Sequence, residues 1–265
     1  MAIANALAFL LYLSSSAILI RRFAQQDPTT VKASLPVGIL VIMALLFHAT
    51  DIVFTVEAAG GWNLGLFTTF SIITWLMALI ALIVGSRLPR AHPGIVIYPL
   101  VALSLILKVE LPSSQASALS DPALEWHVLL SLAAYSLFML AAIQAIILAI
   151  QEKQLRQHHV AGLIRKLPPL QTMETALFQL IITGFCLLTL GLITGLMFVD
   201  DLLAQHLMHK TVLSVIAWCV FAALLWGRLR HGWRGRTAVK WTLVGFSFLL
   251  LAYMGSKFVL EYLAN

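Results

Sequence analysis

Eight apolar runs constrain this chain more than anything else in it. They lie at about 3–20, 35–56, 66–86, 95–109, 127–150, 177–199, 211–228 and 241–262. A helix needs about 20 apolar residues to cross the hydrocarbon core of a bilayer. Lipid offers the backbone no hydrogen-bond partner, so a lone apolar segment of that length satisfies itself as a helix. The expected fold class is therefore all-α: a polytopic membrane bundle of about eight transmembrane helices, forming a single integral membrane domain over residues 1–265. The fourth run is the shortest and carries Pro99. Composition points the same way. Only 11% of residues are charged, against about 25% in a soluble domain, and the mean hydropathy is +0.95. That is too little charge to cover a water-facing surface.

The loops carry a second signal. Fourteen of the 17 Lys and Arg residues fall in one set of alternate loops. They are Arg21, Arg22 and Lys32; Arg87 and Arg90; Lys153, Arg156, Arg165 and Lys166; and Arg228, Arg230, Arg234, Arg236 and Lys240. The other set holds only Lys108, Lys210 and Lys257. Cytoplasmic loops are the basic ones, so the split predicts both termini outside, which in a bacterium means periplasmic. The net charge of +6 then belongs to inner loops, and no nucleic acid partner is expected. The partner is the bilayer, and the expected location is the bacterial inner membrane, multi-pass. The first run has no basic residue before it and two after it, unlike a cleaved signal peptide, which suggests a retained helix. Cys186 and Cys219 lie in apolar runs without a CxxC pattern; both read as small hydrophobes.

Ionisable groups within membrane spans are costly and often functional. Of eight histidines, His92, His158, His159 and His231 fall in the basic inner loops. His48, His127, His206 and His209 map to the outer half. His48 has Asp51 three residues on, hence on the same helical face, where a carboxylate can orient an imidazole. His127 follows Trp126 and opens a polar stripe with Ser131 and Tyr135. His206 and His209 stand beside Lys210. Gly191-Leu-Ile-Thr-Gly195 reads as close helix packing, and Leu167-Pro-Pro169 as the stop before the sixth span.

Several outer histidines suit zinc or haem, whose iron takes one or two axial imidazoles between helices. No HExxH or CxxC supports zinc. His127 and His209 match in depth more easily than His127 and His48; both pairings stay open. Nothing resembles a hydrolase triad, a P-loop or a dinucleotide fingerprint, so an autonomous enzyme is not expected.

The stretches Trp126 to Tyr135, Leu167 to Glu174, His209 to Trp218, Gly232-Trp-Arg-Gly-Arg236 and Ala252-Tyr-Met-Gly-Ser-Lys257 carry a resemblance across nearly the whole chain. In them the sequence resembles the CcsA/CcmC-type cytochrome c assembly proteins, and more closely the YpjD/HemX-like branch. The resemblance implies haem held on the outer face, with His127 as a ligand and Lys210 trailing the outer segment. The tryptophan-rich WWD motif of that family is not intact here: the stretch before Lys210 reads Asp-Asp-Leu-Leu-Ala-Gln-His-Leu-Met-His. The implied function is a haem-binding or haem-handling protein accessory to cytochrome c assembly. Its candidate ligands are His127 with His48 or His209, and its supporting residues are Asp51, Tyr135, Trp126 and Lys210. The alternative is a non-enzymatic regulator that meets another membrane or haem-biosynthesis protein through basic loops such as that of Arg234 and Arg236. A transporter is a third and weaker reading.

Overall fold

The computed structural model describes residues 2–25, 34–58, 60–62, 65–87, 93–111, 122–157, 167–198 and 205–255. These form eight α-helices with no strand among them: α1 (Ala2–Gln25), α2 (Ser34–Ala58), α3 (Leu66–Arg87), α4 (Gly94–Glu110), α5 (Pro122–Arg156), α6 (Leu170–Phe198), α7 (Gln205–His231) and α8 (Gly235–Leu250). A π-helical turn, Leu251–Gly255, continues α8. Each expected span has its helix, the last of them as far as residue 255, with 256–262 outside the described residues. Seven, counting α8 with its π turn, are long and apolar enough to cross a membrane. The eighth, α4, has 17 residues, about 25 Å at 1.5 Å per residue, and falls short of a full span.

The helices group into two compact units, Met1–Ser120 and Asp121–Asn265. In the first, α1 packs on α2 and α4, and α3 packs on α4 and α2, closing a ring of four. Polar side chains fill much of its interior: Ser15, Ser16, His48, Asp51, Thr69, Ser71, Thr74 and Ser104 are all buried. Pro99 shows why. Proline has no N–H to give the carbonyl four residues back, which here is that of Ile95. The hydroxyl of Ser16 on α1 donates to that carbonyl instead, at 3.3 Å. The gap in the helix ladder becomes a link between helices, as lipid-excluded backbone requires.

In the second unit, α5 packs on α6, α6 on α7, α7 on α8 and α8 on α5. Its centre is an aromatic stack, Phe138 over Phe221 with centroids 4.0 Å apart. Gly184 and Gly245 lie against the two rings, where a side chain would meet Phe138 at 3.2 Å and Phe221 at 2.8 Å. Helix α5 starts at Pro122, earlier than the hydropathy pattern alone indicates. Proline suits a first helical position because its missing N–H would have been unpaired anyway. The consequence matters for function: His127 sits more than a turn inside α5 instead of at its tip. The Leu167-Pro-Pro169 stop ends just before α6, whose first turn donates to the Pro169 carbonyl.

Candidate functional site

The first unit encloses His48 completely. Its Nε2 lies 2.8 Å from the Ser71 hydroxyl on α3, and its Nδ1 has no hydrogen-bond partner among the described residues. Tyr12 of α1 meets the ring edge-on at 6.0 Å and in turn meets Tyr98 of α4 at 5.9 Å. The Tyr12 hydroxyl is likewise buried and without a partner among the described residues. Asp51, expected to orient His48, is engaged elsewhere. Its carboxylate accepts from the Lys108 ammonium of α4 at 2.6 Å. Lys108 also donates to the Thr55 hydroxyl at 2.7 Å, and that hydroxyl donates to the Asp51 carbonyl. Lys108 and Ser71 are additions to the expected site residues. Lys108 carries a usable sequence signal: a cation in a run short of charge needs an acid, and Asp51 is an acid in another such run.

The second unit positions His127. Its Nδ1 lies 2.9 Å from the Gly191 carbonyl of α6 and 3.2 Å from the Thr194 hydroxyl. A carbonyl only accepts, so Nδ1 carries the proton in this bond and donates it. Nε2 is then the nitrogen with the open lone pair, and it makes no hydrogen bond among the described residues. A Cβ on Gly195 would stand 2.9 Å from the His127 Cε1. The GxxxG pattern therefore does serve close packing of α5 on α6, and the group packed there is the imidazole. Gly191 faces Ser131 of the same polar stripe.

Tyr135, two turns further along α5, donates to the Leu249 carbonyl of α8 at 2.9 Å. Its ring lies 5.9 Å from that of Tyr253 in the π turn, an irregularity that often marks functional positions. The Lys210 ammonium lies 5.9 Å from the centroid of the Tyr253 ring. Lys210, Tyr253 and Tyr135 thus form one chain of contacts from α7 through the π turn to α5. His209 is exposed, and no contact joins it to His127 among the described residues. Trp126 is 66% exposed and points out of its unit. The side chain of His206, and residues His92, His158 and His159, lie outside the described residues. Among the described residues no group of three or more His, Cys, Asp or Glu side chains suits a metal ion.

Helices of this length and apolarity, with exposed leucines outside and buried His, Tyr and ion-pair side chains inside, define a multi-pass membrane protein. The chain belongs to the cytochrome c assembly protein family, which it matches over residues 3–264. It is 33% identical over 224 residues to the inner membrane protein YpjD of Escherichia coli (strain K12), covering 83% of this chain and 85% of the relative. It is 24% identical over 257 residues to the cytochrome c biogenesis protein CcsA of Prochlorococcus marinus (strain MIT 9515), covering 86% and 82%. Protein HemX of Brevibacillus brevis is 24% identical over 165 residues, covering 62% of this chain and 61% of the relative. No solved structure matches it.

Proposed function

We propose that the protein binds or hands on haem as an accessory of cytochrome c assembly, with His127 as an axial ligand. The observation that carries this is the seat of His127: Nδ1 donates to the Gly191 carbonyl at 2.9 Å, and Nε2 makes no hydrogen bond among the described residues. A ligating histidine commonly anchors its second nitrogen in this way, which fixes the tautomer and makes the free nitrogen a better donor to iron. Membership in the cytochrome c assembly family supports the choice of haem over zinc. So does the scarcity of ligands, since haem brings four of its own and asks the protein for one or two.

His209 is the favoured second ligand. It belongs to the same unit as His127 and its ring is exposed, whereas the His48 ring is wholly enclosed. Lys210, beside it, supplies a cation for a carboxylate such as a haem propionate. Bound iron would supply a redox-active centre. The chain's own residues hold the imidazole, set its tautomer and offer the charge.

The test is the visible spectrum of the full chain, purified in detergent from haem-replete cells. A Soret band is expected. His127→Ala should abolish most of it, and imidazole added to His127→Gly should restore it in part. His209→Ala should shift the band and His48→Leu should not. A Soret band unchanged in His127→Ala, or its absence from well-folded wild type, refutes the reading.

A further inference from the structure

Five cations lie within 13 residues around the turn between α7 and α8: Arg228 and Arg230 in α7, Arg234 in the turn, and Arg236 and Lys240 in α8. Two of them share one internal acid. Glu174 of α6, itself buried, places Oε2 3.2 Å from the Arg234 Nε and Oε1 4.0 Å from Arg228. It also accepts from the Gly235 N–H at 2.8 Å, and so occupies the positive N-terminal end of α8. Arg228 is fixed further by donating to the Trp233 carbonyl at 3.2 Å and by lying 4.5 Å over the Phe178 ring. The second acid nearby, Glu152, lies against Gly235 with a buried, unpartnered oxygen and forms no ion pair among the described residues.

Arg230, Arg236 and Lys240 remain. All three are exposed, and none has a carboxylate partner among the described residues. Arg236 and Lys240 are four residues apart, hence on one side of α8. Their depth is set by their neighbours. Leu229 is 86% exposed and Trp226 66% exposed, both close to Arg230 on a membrane-crossing helix. Apolar side chains so exposed on such a helix are expected to face acyl chains, which puts Arg230, just beyond them, near the level of the lipid phosphates. Trp233 and Trp241, stacked at 5.3 Å, are an aromatic pair of the kind found at that interface. Close contact of Trp233 with Gly227 holds the turn against α7.

We propose that this turn is a binding site for the phosphate headgroup of an anionic phospholipid, held by Arg230, Arg236 and Lys240. The site is charge-complementary to a phosphodiester, lies where phosphodiesters are concentrated, and needs no particular orientation of the protein in the membrane. Arg234, by contrast, is paired with Glu174 through its Nε and is left out of the proposed contact set.

Native mass spectrometry of the full chain, released from micelles of mixed phosphatidylglycerol and phosphatidylcholine, tests this. The wild type should retain phosphatidylglycerol preferentially. Each of Arg230→Gln, Arg236→Gln and Lys240→Gln should lower that preference about fivefold, the factor equivalent to about 1 kcal/mol per cation at an anionic surface. The triple variant should lose it, and the charge-preserving pair Arg230→Lys with Arg236→Lys should keep it. Should the triple variant fail to fold, the single variants decide. Equal retention of both lipids by the wild type overturns the proposal, as does a preference that survives all three single changes. Release of the bound lipid by millimolar inorganic phosphate would assign the site to free phosphate and also overturn it. So would retention, through these three residues, of a polypeptide in place of lipid.

Discussion

His127 and Gly195 are matched in shape: the imidazole Cε1 occupies space 2.9 Å from where a Gly195 side chain would begin. The ring lies close against the α6 backbone only because that position has no Cβ. The same contact brings Nδ1 to the Gly191 carbonyl. A packing motif and a ligand-orienting hydrogen bond are thus one feature.

Gly195→Ala should push the imidazole off its carbonyl. The cost is that of overpacking, about 1–3 kcal/mol, read as a lower melting temperature in detergent, together with a weaker Soret absorbance per molecule. Gly191→Ala is the control. Its Cβ would meet the Ser131 hydroxyl at 3.4 Å, an ordinary contact, and it should change both readings less.

Lys108→Met should destabilise the first unit by about 3–5 kcal/mol, because it leaves the Asp51 carboxylate buried without its counter-charge. The double change Asp51→Leu with Lys108→Met removes both charges and should cost less than Lys108→Met alone. Thermal unfolding of wild type, both single variants and the double variant in one detergent measures this. Additive losses would show that the 2.6 Å pair is not energetically coupled.

Glu174→Gln keeps the shape but loses the charge that faces Arg228 and Arg234. The turn at 232–234 should open more readily, by about 1–2 kcal/mol, and be cut faster by trypsin at Arg234. Arg234→Gln should cost under about 1 kcal/mol, since its partly exposed pair is solvent-screened. Equal cutting rates in wild type and Glu174→Gln would remove Glu174 from the role of clamp.

Tyr135→Phe should lose the hydrogen bond to the Leu249 carbonyl, about 1 kcal/mol, and loosen the π turn, which hydrogen exchange at 251–255 would report. Trp126→Ala should leave both the melting temperature and the visible spectrum nearly unchanged, because the ring is 66% exposed and points out of its unit. A large spectral change in Trp126→Ala would restore this tryptophan to the site.

How much of this is legible in the sequence differs residue by residue. Eight helices are readable from the apolar runs, and Pro99 marks the one that falls short of a full span. His127, Tyr135 and Lys210 are readable as candidates because polar groups in such runs are expensive. Their partners are not. Helical spacing pairs Asp51 with His48, yet its carboxylate reaches Lys108, 57 residues away. Arg234 and Arg236 read as equivalent basic residues. One is tied to Glu174, 60 residues distant, and the other has no carboxylate partner among the described residues.

The division has a physical cause. Whether a segment enters a bilayer as a helix depends on its own side chains and on hydrogen bonds closed within four residues, so the sequence by itself determined the class, the segments and the list of costly polar groups. Which acid neutralises Lys108, which carbonyl fixes the proton on His127, and which arginine stays available are settled by the faces that neighbouring helices present. Those faces depend on rotation and depth, which a run of apolar residues leaves undetermined. Only the packed bundle decided them: a buried charge or hydrogen-bonding group must be met by whatever lies across the helix interface, however far away it is in the chain.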